Sequence, residues 1–373
     1  MPSLLSLTPF SRAPFTWLLH IALATIFVGA CVTHFFGEQG EVHLRADKAQ
    51  TINHKSKIIN HKSEITLFLW DFQVVYDSDN NPVDYITELR LLDRSKSEIR
   101  NHKSETTVPL KGKEIMVEEG TLRMNKPLKY HNWRFCQSNF DSDQLGVTLR
   151  YNYDPWGIGI TYTGYALLLI AMIAFFFQRR THFRALLKSV TSNSLLLGRA
   201  GVGLFAVLII ALAMIMTKVV TPKPPLEPVL QTPLLGIHVS VIMLAYTLFA
   251  IIAINGIIGL CSKRLSTFVF RLSTILLYPA EFCLMAGIFI GAVWANMSWG
   301  RYWGWDPKET WALITMLVYA MLLHFPWLKS KLPMTNNKLQ ICYHVFSVIA
   351  FLFVLFTYFG VKYLLGGLHS YSN

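Results

Sequence analysis

The stretch of sequence that decides the fold is residues 234–260, LLGIHVSVIMLAYTLFAIIAINGIIGL, which contains no Asp, Glu, Lys or Arg. About 20 consecutive apolar residues are enough to cross the hydrocarbon core of a bilayer as a helix. The chain of 373 residues is 53% hydrophobic and only 15% charged, whereas soluble proteins carry about 25% charged residues. The sequence therefore predicts a polytopic α-helical membrane protein.

Apolar runs of this kind occur seven times along the chain, and they predict about seven transmembrane helices. Their approximate bounds are Phe15–Phe36, Ile158–Phe177, Leu195–Val219, Leu234–Leu260, Leu272–Trp294, Trp311–Trp327 and Ile341–Leu364. The first run is long and aromatic, with Arg12 as its one nearby upstream basic residue, which favours a retained anchor over a cleaved signal peptide. We expect residues 1–36 and 158–180 to hold the first two transmembrane helices, and residues 195–373 to form a larger membrane domain.

The net charge of +12 comes from Lys and Arg residues that stand between the apolar runs. Because cytoplasmic loops are the basic ones, this charge predicts a topology, and we expect no nucleic-acid partner. The loops after the second, fourth and sixth runs are basic, whereas the alternate loops carry acids such as Glu227, Asp306 and Glu309. The sequence therefore predicts a cytoplasmic N-terminus, with residues 37–157, the loop 295–310 and the C-terminal tail on the outer side.

Residues 37–157 form one long polar stretch, which we expect to be a small external β-rich domain. Alternating runs such as 66–76 (TLFLWDFQVVY) are separated by Asn, Asp, Gly and Pro, a pattern that predicts antiparallel β structure. The unit Asn-His-Lys-Ser recurs three times, and we interpret it as a duplicated surface insertion; metal binding by His54, His61 and His102 is the alternative. The five cysteines include no C-x-x-C pair, which argues against a disulfide framework or a zinc site.

The tryptophan loop, residues 294–311 (WANMSWGRYWGWDPKETW), holds five of the ten tryptophans. Part of it has a structural explanation, because tryptophans anchor membrane interfaces and Asp306, Pro307 and Glu309 suit the N-cap, first and third positions of a helix. The number of tryptophans exceeds what anchoring needs, and glycines between them let backbone approach closely. The loop therefore predicts a flat apolar surface for a large planar ligand such as a porphyrin.

Four of the twelve histidines stand in two pairs at matched ends of the predicted spans. The topology puts His238 and His369 on the outer face with the tryptophan loop, and His20 and His324 near the inner face. Any one of them could be an interfacial polar side chain, but paired imidazoles are common axial ligands of heme iron. Glu281, in the fifth span, is interpreted as a helix–helix hydrogen-bonding group in preference to a chemical one.

These motifs resemble those of the system II cytochrome c synthases. The pattern from Trp299 to Trp311, WGxxWxWDPKETW, is similar to the tryptophan-rich signature of CcsA/ResC-type proteins. Residues 228–238 (PVLQTPLLGIH) and 366–371 (GGLHSY) resemble the two external histidine motifs of that family, and His324 matches its membrane histidine. Residues 124–130 (MNKPLKY) and 154–158 (DPWGI) and the first span resemble the ResB-type (CcsB) partner subunit, which suggests His20 as the other membrane histidine.

The resemblance implies a natural fusion of these two subunits in a bacterial cytoplasmic (inner) membrane, with 37–157 as the ResB-like domain and 195–373 as the CcsA-like heme-handling domain. It implies a holocytochrome c synthase (heme lyase) that holds, and in the family exports, heme b. The protein would promote thioether attachment of that heme to the CxxCH motif of apocytochrome c, with thiol-reducing proteins as further partners.

The resemblance also implies a role for each site residue. His238 and His369 would ligate the iron at the outer site, where Asp306 shapes the loop, so these three form the catalytic set. His20 and His324 would hold heme at an inner station. The porphyrin wall would consist of Trp299, Trp303, Trp305 and Trp311.

Three other functions remain open from the residues alone. A bis-His electron carrier would keep its heme permanently and make no bond. A heme exporter would lack the synthase activity. A membrane assembly factor would bind no heme and use its tryptophans only as interface anchors.

Overall fold

The structure is a computed structural model that describes residues 14–46, 48–55, 62–93, 117–178, 182–193, 210–211, 214–215, 228–325 and 335–365. The third predicted span, Leu195–Val219, lies outside these residues apart from two short helical pieces. His61, His102 and His369 also lie outside them, as does the side chain of His54, so the metal interpretation of the repeats stays a prediction.

Seven helices lie in the described part of the chain. They are α1 (Pro14–Phe36), α2 (Gly157–Phe177), α3 (His182–Asn193), α4 (Pro233–Cys261), α5 (Lys263–Trp299), α6 (Pro307–Leu323) and α7 (Asn336–Leu355). A π-helical segment, Phe356–Leu365, continues α7, and a short 3₁₀ turn, Pro228–Leu230, precedes α4.

Five helical segments are long and apolar enough to cross a membrane: Phe15–Phe36, Gly157–Phe177, Pro233–Cys261, Lys263–Trp299 and Asn336–Leu365. They agree with a multi-pass membrane protein, and they coincide with five of the seven predicted spans. The sixth predicted span corresponds to α6, whose 17 residues stand at the lower end of the roughly 17–25 that a span needs.

The fifth predicted span, Leu272–Trp294, lies within a longer helix. Helix α5 has 37 residues, so it extends about 55 Å, well beyond the hydrocarbon thickness of about 30 Å. Its first nine residues, 263–271 (KRLSTFVFR), include three basic ones but are still helical, and hydropathy alone misses a helix that continues past the end of an apolar run.

Eight strands lie between α1 and α2 in the described part of the chain, and they confirm the predicted antiparallel β structure. They are β1 (Glu38–Arg45), β2 (Gln50–Lys55), β3 (Lys62–Tyr76), β4 (Pro82–Asp93), β5 (Val117–Arg123), β6 (Leu128–Tyr130), β7 (Trp133–Phe140) and β8 (Gly146–Tyr153). They form two four-stranded antiparallel sheets, in the orders β1-β8-β7-β6 and β2-β3-β4-β5.

The two sheets share one hydrophobic core and so form a β-sandwich. Alternate residues of β3, Ile65, Leu67 and Leu69, point into it, as expected for strands with one buried face. Residues Phe135 and Leu149 of the other sheet belong to the same cluster.

The ends of the sandwich lead directly into two membrane helices. Strands β1 and β8 pair along their whole length, with Glu38 opposite Tyr153, so the end of α1 meets the start of α2. Thr33 donates a 2.6 Å hydrogen bond to the Asp154 carboxylate. The other Asp154 oxygen accepts from the backbone of Gly157, the first residue of α2, at 2.7 Å.

The helices share a second core. Phe249 of α4 stacks on Tyr319 of α6 with ring centroids 3.6 Å apart. Ala22 of α1 and Leu168 of α2 are buried in the same cluster, so the two helices that flank the sandwich belong to one bundle with α4, α5, α6 and α7.

Candidate functional site

The sandwich rests on one end of the helix bundle, which we call the sandwich end. Asn152 of β8 donates a 2.8 Å hydrogen bond to the carbonyl of Gly300, at the C-terminus of α5. Asn125 donates to the carbonyl of Val229, just before α4, at 3.1 Å. The start of α4, the end of α5 and the tryptophan loop therefore all lie at the sandwich end.

The turn into α6 has the predicted capping geometry. Asp306 is only 6% exposed, and its carboxylate accepts from the Lys308 backbone at 3.2 Å. The Glu309 carboxylate accepts from the Gly304 backbone at 2.7 Å and from the Asp306 backbone at 3.3 Å. The prediction of Asp306 as N-cap of a capping box is confirmed, and it gives Asp306 a shaping role in the loop.

Trp305 is held in an unfavourable backbone conformation. Its φ is 56°, in the left-handed region that bulky residues rarely adopt. Its side chain is 72% exposed, so burial of the indole does not offset the strain. Strain of this kind collects at functional sites, and here it directs an indole outward from the loop.

The other tryptophans stand in separate groups, which differs from the flat surface that the sequence predicted. Trp294 is buried and meets Trp299 at 4.8 Å and 68°. Trp303 meets Trp305 at 6.0 Å and 87°, and Trp311 packs on Phe356 at 4.2 Å. Aromatic pairs favour such edge-to-face geometry, so a planar ligand would meet single indole faces and not one continuous shelf.

His238 is fixed to the neighbouring helix. Its Nδ1 lies 2.7 Å from the carbonyl of Gly287 in α5, and since a carbonyl only accepts, Nδ1 carries the proton and donates. The ring lies where a side chain at Gly291 would be, because a Cβ there would come within 2.6 Å of the ring. Protonation at Nδ1 leaves the lone pair on Nε2, the ring atom that acts as acceptor or metal ligand in this tautomer.

His238 lies below the tryptophan loop. Gly291 precedes Trp299 by eight residues of α5, which corresponds to about 12 Å along the helix axis. His369 lies outside the described residues, so the separation of the two outer imidazoles stays a prediction.

His20 and His324 are alike in geometry. Each is exposed, and each Nδ1 lies 2.7 Å from the carbonyl four residues earlier in its own helix, Thr16 or Ala320. His20 lies about 24 Å along α1 from the sandwich end, and His324 about 25 Å along α6. The two therefore lie at matched depth near the opposite end of the bundle, which we call the far end.

Glu281 is 1% exposed in the middle of α5. Neither of its carboxyl oxygens has a hydrogen-bond partner among the described residues. The hydrogen bond to a neighbouring helix that we expected is therefore not present within that part of the structure.

Sequence reasoning missed the side chains that join the sandwich to the tryptophan loop. Besides Asn125 and Asn152, these include Cys136, whose sulfur would lie 3.0 Å from a Cβ at Gly300. Burial raises the pKa of the Cys136 thiol to about 12. The one available signal was the stretch 124–130, which contains Asn125 and was noticed only as part of a family resemblance.

The loop also contacts α2. Tyr302 meets Tyr162 edge-to-face at 5.5 Å and Tyr165 at 6.0 Å. Burial is the main cause that raises the pKa of the Tyr302 phenol. The tryptophan loop therefore packs against α2, the helix that follows the sandwich.

These features define a class: a multi-pass membrane protein whose β-sandwich is seated on a tryptophan-containing loop of the helix bundle. Residues 160–369 match the family described as Cytochrome C assembly protein, and residues 15–153 match the ResB-like family. Because the first match covers more than half of the residues of this chain, the chain belongs to the cytochrome c assembly protein family. The predicted fusion of a CcsA-type part with a ResB-like part is confirmed.

Individual relatives agree with this assignment. Protein NrfI of Wolinella succinogenes is 39% identical over 159 residues, which are 40% of this chain and 17% of that protein. Cytochrome c biogenesis protein CcsA of Chlamydomonas reinhardtii is 38% identical over 162 residues, 40% of this chain and 43% of that protein. CcsA of Nandina domestica is 48% identical over 91 residues, 24% of this chain and 26% of that protein. The chain spans less than half the length of each relative.

Proposed function

We propose that this protein holds heme b at the sandwich end and promotes its thioether attachment to the CxxCH motif of apocytochrome c. The observation that carries the proposal is His238, whose Nδ1 is anchored to Gly287 at 2.7 Å beneath the tryptophan loop. An imidazole with a fixed tautomer and a fixed ring is what a preorganised axial ligand requires.

His369 is the proposed second axial ligand at this site. The direction of the last helix supports the pairing, because Phe356 packs on Trp311 at the start of α6. The chain therefore returns to the sandwich end shortly before residue 369. Exposed Trp305 and its partner Trp303 are the proposed contacts to the porphyrin faces, with Trp299 and Trp311 at the sides.

The bond-forming step needs no oxidant. Each cysteine thiol adds across one heme vinyl group: the sulfur bonds to the carbon next to the ring and the hydrogen goes to the terminal carbon. The protein contributes position and exclusion of water, which are large effects for a reaction between oriented groups. Asp306 contributes by holding the loop in its capped conformation.

The far end is the proposed inner heme station, with His20 and His324 as ligands. Their matched depth and identical local hydrogen bonds support this role. Heme would then pass to the sandwich end. We further propose that the N-terminus is cytoplasmic and the sandwich extracytoplasmic in a bacterial cytoplasmic membrane, where thiol-reducing proteins keep the apocytochrome cysteines reduced.

Co-expression with a CxxCH reporter, in a host that lacks its own maturation system, tests the proposal. We expect heme-stained reporter with the wild-type chain and loss of it with His238→Ala or His369→Ala. His43→Ala is the matched control, since His43 lies on the sandwich surface, 3.0 Å from Asp141. Equal yields from wild type and both site variants would contradict the proposal.

A bis-His electron carrier is the second candidate function, and the matched depth of His20 and His324 is the observation that favours it. A carrier would purify with permanently bound heme and leave the reporter unstained. The same co-expression experiment, followed by an absorption spectrum of the purified protein, separates the two functions.

A further inference from the structure

Two asparagines on the underside of the sandwich bond to the helices that surround the proposed outer heme site. Asn125 lies in the turn between β5 and β6, with φ of 61°, a conformation that Asn tolerates better than most residues. Asn152 lies in β8 and is buried. Neither residue was predicted to contribute to the site.

The carboxamide of Asn125 bonds to two helices at once. Its Nδ2 donates to the carbonyls of Pro228 and Val229, at 3.3 and 3.1 Å, just before α4. Its Oδ1 accepts a short hydrogen bond from the Ser298 hydroxyl in the last turn of α5. Asn125 therefore links the 3₁₀ turn that leads into α4, the helix of His238, to the helix that carries Gly287, Gly291 and Trp299.

The contacts of Asn152 fix the next residues of the same helix. Its 2.8 Å hydrogen bond reaches Gly300, which ends α5 with φ of 73°. The Cys136 sulfur lies close to position 300, where an added Cβ would come within 3.0 Å of it. The start of the tryptophan loop is therefore bounded by a hydrogen bond and a packing contact, both from the sandwich.

Helix α5 is thus joined by polar contacts at two heights to α4 and the turn before it. Asn125 joins the 3₁₀ turn before α4 to Ser298, and the imidazole of His238 joins α4 to Gly287. The two heights are about 16 Å apart along α5. Loss of the Asn125 contact would alter the separation of α5 from the turn before α4 at the level of Ser298, next to Trp299.

We propose that Asn125 and Asn152 are positioning residues for the outer heme site, so that the ResB-like sandwich sets the geometry in which the CcsA-like part holds heme. The inference rests on the proposed function. It assigns the sandwich a role in heme geometry that does not require it to touch heme or apocytochrome.

Aspartate at position 125 is the sharpest substitution. It keeps the shape, the turn and the acceptor for Ser298, but it replaces a donor with an acceptor that faces two carbonyl oxygens. Because a misplacement of about 1 Å can cost roughly 100-fold in rate, we expect Asn125→Asp to lower heme-stained reporter by about tenfold or more. Asn152→Asp should act in the same direction.

The matched control is Asn80→Asp. Asn80 is an exposed turn residue of the same sandwich with φ of 62°. Asn125→Gly and Ser298→Ala extend the test: the first keeps the turn without the amide, and the second breaks the contact from the membrane side. If the contact matters, the Asn125→Asp/Ser298→Ala double variant should lose less than the product of the two single losses.

The readout that separates positioning from simple destabilisation is the heme itself. In purified heme-loaded protein, Asn125→Asp, Asn125→Gly and Ser298→Ala should shift the Soret band and the reduction midpoint potential. They should also lower the rate of reporter maturation more than its half-saturating concentration. Asn80→Asp should match wild type throughout.

Wild-type spectra and reporter yields in Asn125→Gly and Ser298→Ala would overturn the inference while leaving the proposed function intact. A wild-type protein that binds no heme would instead overturn the proposed function. Loss of heme only in step with loss of folded protein, for all variants, would also overturn the positioning role.

Discussion

The two ends of the helix bundle hold their histidines in different ways. At the sandwich end, His238 is bonded to a neighbouring helix and packed into the gap left by a glycine. At the far end, His20 and His324 are exposed, and their hydrogen bonds within the described residues are to their own helices. The same side chain is thus fixed by tertiary structure at one end and by local structure at the other. The difference agrees with the proposed roles of the two ends, one for bond formation and one for heme transfer.

The largest expected effect comes from filling the gap beside His238. Gly291→Ala would place a Cβ within 2.6 Å of the ring, so the imidazole must move. We expect heme-stained reporter to fall by about 100-fold, as for a displaced reacting group. Gly236→Ala in α4 is the control, because nothing lies within 4 Å of its Cβ; a helical alanine there should stabilise by roughly 0.5–1 kcal/mol. Equal yields from the two variants would show that the ring position is unimportant.

Trp305 tests whether the strained loop matters at the same end. Trp305→Gly removes the cost of a positive φ and should stabilise the protein by about 1 kcal/mol, while heme-stained reporter falls by roughly tenfold. Thermal unfolding and reporter yield are measured on the same preparation. Trp156→Gly is the control, since Trp156 is exposed with φ of −132° and has no such strain to lose. A variant that is stabilised and fully active would remove Trp305 from the site.

The thermal stability of histidine variants in detergent compares side chains held by their own helix with one that is buried between helices. His20→Ala and His324→Ala should each change the free energy of unfolding by less than about 0.5 kcal/mol, because the side chains are exposed. His344→Ala should cost about 2 kcal/mol, since His344 is fully buried against Gly259. Midpoints compared at one scan rate check this. A large loss in His20→Ala would mean that the far end is fixed by contacts after all.

The smallest expected effect concerns the thiol at the sandwich end. Burial raises the pKa of Cys136 from 9.0 to about 12, so the thiol stays protonated at pH 8.5 and should react very slowly with iodoacetamide. Because the folded-state pKa is the higher one, this contribution to stability is present below about pH 9 and is lost as the pH rises towards 12. Mass spectrometry of the Cys136 peptide gives the rate, and Asn152→Asp should accelerate it. Rapid alkylation of the native protein would contradict the seating of the sandwich on Gly300.

Features that depend on local sequence could be predicted. The capping box at Asp306 follows from residue types at fixed spacing, and the antiparallel strands follow from alternation. Five of the seven apolar runs coincide with helices that are long and apolar enough to cross a membrane. In each case the physical cause lies within a few consecutive residues.

Features that depend on tertiary contact could not be predicted. The residue types around Asn125 do not predict its hydrogen bond with Ser298, 173 residues away. The angles between the indoles depend on how α5, α6 and the loop meet, so a count of tryptophans predicted a flat surface that the rings do not form. The length of α5 was missed because three basic residues interrupt the apolar pattern in its first nine residues.

Helix α5 contains a proline near its middle. Pro279 has no backbone N–H for the hydrogen-bond ladder, and prolines are a common cause of bends in long helices. Ser298 lies about 28 Å along the helix from Pro279, so a bend of roughly 5° at Pro279 would displace it by about 2.5 Å. A swing of that size exceeds the tolerance of a hydrogen bond. The hydrogen bonds from the sandwich to Ser298 and Gly300 therefore oppose bending of α5 at Pro279.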